Sequence, residues 1–287
     1  MQPNSRIADQ LKVLSRLTPE ETERSVDLKP FPAAAVRAME LARRPGAVPR
    51  QIIEVVQSEP VITARMLQLV NSSLFGLQRR IDDLEEAGEY LGCEQLVEVA
   101  TTAAYASQHA GEGFLGSQQA DFLWRRSMAI ALCSASLSTS GAETGAYLTG
   151  LLEGLGLLWI AQRLPGRFAR RMHQLYAHGC TPERAQHVIL RTNHCLKSAE
   201  LMRQWKLPET YIEAITKLGQ GRIDCPTTEA VSAGRKLATA LIEHDQVPEY
   251  LDWALTMRPD SINLLDMSFG PELKQRYEEL SVLRPAA

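Results

Sequence analysis

The chain has 287 residues, of which 45% are hydrophobic and 23% charged, with a formal net charge of -3. That length and balance describe a globular chain able to bury one large core or two lobes, and they argue against disorder except at the ends. The near-neutral charge gives no general attraction to nucleic acid or to an anionic membrane surface, so neither is expected as a partner.

Cys93, Cys133, Cys180, Cys195 and Cys225 are odd in number, widely spaced and without a Cys-x-x-Cys pair. This argues against a disulfide framework and a zinc knuckle and favours reduced thiols in a cytoplasm. The stretch from Met1 to Ser25 is polar and lacks the apolar core of a signal peptide. The most apolar segment, Ala146 to Ala161, has 16 residues and carries Glu153, short and polar against the about 20 residues of a membrane span. It reads as a core helix, and the protein as cytoplasmic.

In chain order, Thr18-Pro19-Glu20-Glu21 looks like a capping box with proline at the first helical position. Lys29-Pro30-Phe31-Pro32 is a break, and Arg44-Pro45-Gly46 is a turn between two helices. After Ser58-Glu59-Pro60, the residues Ile62, Met66, Leu69 and Val70 fall on one helical face. His109 to Ser117 carries Gly111, Gly113 and Gly116 and reads as a link between lobes. Leu148, Leu151, Leu152, Leu155 and Trp159 repeat the helical spacing, with apolar residues on the other side as well, which predicts one helix buried nearly all round. Asp224-Cys225-Pro226 is a further break, followed by helices to about Leu283. No run alternates as a strand does, so the class is all-α. Gly150, Gly154 and Gly156 lie in a helical pattern with no strand before them, so they point to close helix packing and not to a dinucleotide loop. Gly154 inside a helix would cost about 1 kcal/mol relative to alanine.

Several of these residues carry a family resemblance. Leu28, Pro30 and Pro32 are followed by Glu59-Pro60, then Leu67-Gln68-Leu69-Val70-Asn71-Ser72 with Phe75-Gly76, then Ile81, Leu84, Ala87 and Leu91-Gly92. Further on come Trp124-Arg125-Arg126-Ser127, Leu151-Leu152-Glu153-Gly154-Leu155-Gly156, Trp205-x-Leu207-Pro208 and Ile212-x-Ala214-Ile215. From Leu28 to Leu241 the chain resembles HDOD domains, the degenerate relatives of HD-type metal-dependent phosphohydrolases. The resemblance implies a two-lobed helical bundle with extra N- and C-terminal helices. Its expected parts are an N-terminal extension (1–27), a first helical lobe (28–116), an HD-like lobe with a degenerate metal site (117–241) and C-terminal helices (242–287).

The resemblance also identifies the positions where hydrolases keep metal ligands. A metal that activates water needs several lone-pair donors. Here the first histidine position is Arg126, a guanidinium with no lone pair. The His-Asp pair reads Glu153-Gly154, the late histidine pair reads Leu218-Gly219, and the final aspartate position is Gly234. Glu153 and His194 remain as donors, too few for a catalytic ion. No metal, cofactor or catalytic residue is therefore expected. Two readings stand for Arg126: it pairs with Glu153 across the vacant site, or it points to solvent; Arg126, Glu153 and His194 form a vestigial or ligand-binding set.

His194-Cys195 are neighbours on a helix and point in different directions, so they do not form a nucleophile and base. Arg163, Arg167, Arg170 and Arg171 form a candidate basic interaction patch, on one face only if the helix continues through Pro165-Gly166. The resemblance implies a non-catalytic module of bacterial signal transduction that acts on protein partners. A nucleotide second messenger, such as a cyclic dinucleotide, and a metal-dependent hydrolase with an unorthodox site are the alternatives.

Overall fold

The computed structural model describes residues 28–72, 79–109, 117–163, 175, 182–242, 273–275 and 277–278. The expected extension at residues 1–27, and nearly all of 242–287, lie outside the described residues. Among those described there are eleven helices and no strand.

Helices α1 (Ala33–Ala42), α2 (Pro49–Val56) and α3 (Pro60–Val70) pack on α4 (Leu84–His109), which is kinked at Gly92, where the backbone leaves the helical region. The breaks read from the sequence fall where proline dictates. Pro32 precedes α1, and Pro49 and Pro60 open α2 and α3, where their missing N–H groups cost nothing. Glu59 leaves its own helix uncapped and accepts instead from the Ala34 backbone N–H at 2.8 Å, so α3 caps the first turn of α1. Ile62, Met66, Leu69 and Val70 are buried, as their spacing requires. Gly46 turns the chain between α1 and α2 with a φ of 75°, a region that favours glycine.

The second half is built on α5 (Ser117–Ser136), which packs against α6 (Glu143–Leu152) and α11 (Pro226–Leu241). Helix α7 (Leu155–Arg163) packs on α9 (His194–Gln204), and α9 on α10 (Glu209–Gly219); α8 (Pro182–Leu190) precedes α9. Helix α4 also touches α6, and the buried apolar core is continuous from Leu28 through both halves. Phe31 stacks on Trp205 with ring centroids 6.1 Å apart, joining the first break to the end of α9.

One expectation is corrected. The apolar stretch predicted as a single helix is two, because the chain turns at Glu153-Gly154 between α6 and α7. A Cβ at Gly154 would overlap the hydroxyls of Ser127 and Tyr105, which bond each other at 2.7 Å. The glycine is therefore needed by packing at a turn, and no cost of glycine within a helix arises. The stretch Glu143–Gln162 has the length and mean hydropathy (1.2) of a membrane span, but 78% of it is buried inside the fold, as a core segment requires.

Candidate functional site: a buried carboxylate between two arginines

The turn after α6 places Glu153 in the interior, with none of its side chain exposed. Arg126, from the middle of α5, donates from Nη1 to Glu153 Oε1 at 3.1 Å and is itself 3% exposed. Arg235, from α11, takes the other oxygen. Its Nε donates to Glu153 Oε2 at 2.5 Å, its Nη2 donates to the same oxygen, and Nη2 also contacts Cys195 Sγ. The third nitrogen, Nη1, lies 3.6 Å from Glu183 Oε1 on α8. One buried carboxylate thus joins α5, α11 and the α6–α7 turn.

The first turns of helix α9 lie against this turn. Asn193 caps it, accepting from the Leu196 backbone N–H at 3.0 Å and donating to the Gly219 carbonyl at 2.8 Å. Ser198 donates to the Glu153 carbonyl at 2.6 Å and accepts from the Gly156 N–H at 2.7 Å. At Gly156 the backbones of α7 and α9 nearly touch, since a Cβ there would overlap the His194 carbonyl.

That approach corrects the reading of His194-Cys195. The two side chains do not point apart: both reach Glu153 from the first turn of α9, with their donor atoms within 4.8 Å of each other. His194 Nε2 and Cys195 Sγ each lie 3.8 Å from Glu153 Oε2. Gln186 Oε1 accepts from both the backbone N–H of His194 at 2.6 Å and its Nδ1 at 2.9 Å. The backbone donor requires an oxygen at that position, which fixes the glutamine and therefore puts a proton on Nδ1. His194 Nε2 and Gln186 Nε2 are buried without a hydrogen-bond partner.

The electrostatics follow. Burial by itself would raise the Glu153 carboxyl, but the charges of Arg235 and Arg126 outweigh it and hold the group well below the usual carboxylate range. Burial would lower the His194 imidazole, but Cys195 and Glu153 beside it raise it to about 9.

Glu153, His194 and Cys195 present one oxygen, one nitrogen and one sulfur within 4.8 Å of one another, a set that could hold a metal ion. The site as it stands does not fit one. Both carboxylate oxygens are engaged by guanidinium groups, which have no lone pair and carry the same charge as the ion they would meet.

Among the residues expected from sequence, Arg126, Glu153 and His194 are brought together. Arg163 ends α7, and Arg167, Arg170 and Arg171 lie outside the described residues. Arg235, Cys195, Gln186 and Ser198 were not singled out as site residues. At Gly234 a Cβ would come 2.8 Å from the Ser134 backbone nitrogen, so α11 lies too close to α5 for a larger side chain. The next residue, Arg235, reaches the centre instead.

The arrangement defines a class: a helical fold with a buried carboxylate held between two guanidinium groups. Residues 28–220, about two thirds of the chain, match the HDOD domain, and the protein belongs to the HDOD family. Among solved structures it is similar to an HDOD domain protein of unknown function from Geobacter sulfurreducens. That structure is 19% identical with a TM-score of 0.65, and the match covers 96% of this chain and 93% of that one. A provisionally named phosphohydrolase from Shewanella amazonensis SB2B is 17% identical with a TM-score of 0.62, over 96% and 97% of the two chains. A provisionally named signal transduction protein from Marinobacter aquaeolei VT8 is 22% identical with a TM-score of 0.60, over 98% of this chain and 66% of that one. At these identities the likeness is one of fold. An uncharacterized protein of Treponema pallidum (strain Nichols) is 20% identical over 206 residues, which are 70% of this chain and 39% of the relative's length.

Proposed function

We propose that this HDOD protein is a non-catalytic regulatory module of bacterial signal transduction, acting in the cytoplasm through protein partners. The observation that carries the reading is the double occupation of Glu153 by Arg126 and Arg235. Metal-dependent hydrolysis requires ligand lone pairs around an ion and an open position for water. Two guanidinium groups on the central carboxylate supply the charge of an ion without its coordination chemistry. Buried charge of this kind is poor evidence for added stability, but it fixes which helices meet. A module of this design presents surfaces and turns over nothing. The signal transduction name of the Marinobacter neighbour accords with this reading, and the phosphohydrolase name of the Shewanella neighbour defines the alternative to be tested.

The test is turnover of chromogenic phosphomonoesters and phosphodiesters by the purified chain with Mg2+, Mn2+ or Co2+. No turnover above the protein-free blank is expected. Metal-dependent turnover that is lost in both Glu153→Gln and His194→Ala would overturn the reading. Cyclic dinucleotides are screened in parallel by thermal shift, where stabilisation without turnover would reassign the module as a nucleotide sensor.

A further inference from the structure

We propose that Arg235 is the protein's own cation in a latent transition-metal site made by Glu153, His194 and Cys195. The inference deepens the non-catalytic reading and rests on it, because it names the side chain that keeps the centre closed to metal.

Three observations converge. The first is spacing. Glu153 Oε2 is 3.8 Å from His194 Nε2 and 3.8 Å from Cys195 Sγ. Oxygen, nitrogen and sulfur ligands of one tetrahedral ion, bound at about 2.0–2.3 Å, sit about 3.3–3.6 Å apart, so the two distances from Glu153 are a few tenths of an ångström from that spacing, and all three donors lie within 4.8 Å of one another. The donor types select a borderline ion such as Zn2+ or Co2+ over Mg2+ or Ca2+.

The second is the support of His194. Its Nδ1 donates to Gln186 Oε1 at 2.9 Å, while Nε2 is directed toward Glu153 and has no hydrogen-bond partner despite its burial. A metal-bound imidazole is oriented in this way, with the distal nitrogen donating to a fixed acceptor and the proximal one facing the ion. Any proton on Nε2 would be displaced by the ion.

The third is the position of Arg235. Its guanidinium bonds Glu153 Oε2 and touches Cys195 Sγ, so it lies between two of the three donors. Arg126 holds the other oxygen, Oε1. Removing Arg235 therefore frees Oε2 and Sγ while Arg126 still anchors the carboxylate, and it leaves three protein ligands with a fourth position for water.

The experiment is titration of the full chain with Co2+, followed by near-ultraviolet absorption, where a cobalt–thiolate bond gives a charge-transfer band. Wild type and Arg235→Lys are expected to show no band. Arg235→Ala is expected to bind one Co2+ per chain with the band present, and Arg235→Ala/Cys195→Ser to lose it. If Arg235→Ala is unfolded when purified, refolding it and Arg235→Leu with Co2+ is the readout, and recovery of helical circular dichroism together with the band supports the proposal. A band in wild type overturns it, as does failure of both Arg235→Ala and Arg235→Leu to take up Co2+, folded or not. The turnover assay decides the non-catalytic reading separately, so the two can fail independently.

Discussion

Glu153 and Arg235 stand 82 residues apart in the chain, and the Nε of one meets the Oε2 of the other at 2.5 Å in the interior. The pair has a consequence for stability that its burial decides. Removing the carboxylate takes from two buried guanidinium groups the anion they share, leaving Arg235 with Glu183 at 3.6 Å, and breaking a buried pair in this way costs about 3–5 kcal/mol. Glu153→Gln keeps the shape and removes the charge, so urea denaturation is expected to show a loss in that range. The triple replacement Glu153→Leu/Arg126→Met/Arg235→Met removes all three charges and is expected to recover most of that loss. A single variant as stable as wild type would mean that the centre is hydrated and screened.

The meeting of α7 and α9 depends on Gly156. A Cβ there would overlap the His194 carbonyl, which is backbone and cannot swing aside. Gly156→Ala is expected to destabilise by about 3 kcal/mol, the upper end of the overpacking range, and to weaken the Ser198 bonds to both sides of the turn. Gly145, in the first turn of α6, has nothing within 4 Å of the same atom. Gly145→Ala is expected to stabilise by about 0.4–1 kcal/mol, because it restricts the unfolded chain. Thermal denaturation of the two variants side by side checks both signs.

Asn193 joins two helices through one amide. Its oxygen caps α9 and its nitrogen donates to the Gly219 carbonyl that ends α10. Asn193→Ala loses both bonds and is expected to cost about 1–2 kcal/mol. Asn193→Asp keeps the cap and loses the donor, so it is expected to cost less. An equal loss in both variants would place the whole effect in the bond to Gly219.

Much of the frame was legible in the sequence because local rules govern it. Pro60 and the spacing of Ile62, Met66, Leu69 and Val70 specify α3, and Asp224-Cys225-Pro226 marks the start of α11, where Pro226 takes the first helical position. The break at Glu153-Gly154 was not legible, because apolar residues on every side of α6 and α7 preserve the helical pattern across it. Arg235 was not legible because no spacing rule links it to Glu153; it reaches the centre only because Gly234 lets α11 lie close to α5. Cys195 was weighed beside His194 and set aside for a related reason. The rule that adjacent helical residues point apart does not foresee that both residues of one first turn, His194 and Cys195, reach the same Glu153 oxygen.

The acid response of the fold should be set in part by His109, at the end of α4. Its Nδ1 bonds the Tyr105 carbonyl at 3.2 Å, its ring lies 4.9 Å from that of Tyr105 and 5.7 Å from that of Trp124, and its Nε2 is buried without a partner. Burial lowers the imidazole to about 4 against an ordinary 6.5; the Tyr105 carbonyl opposes the shift, and the charge of Arg65 on α3 adds to it. The folded state therefore favours the neutral ring, while the unfolded chain takes up a proton near 6.5. The contribution is fully present above pH 6.5 and is lost as pH falls through the folded value near 4. Urea midpoints measured across that interval are expected to fall for wild type and to fall less for His109→Phe, which keeps an aromatic ring against Tyr105 and Trp124. Parallel pH dependences in the two proteins would assign the acid sensitivity to other groups.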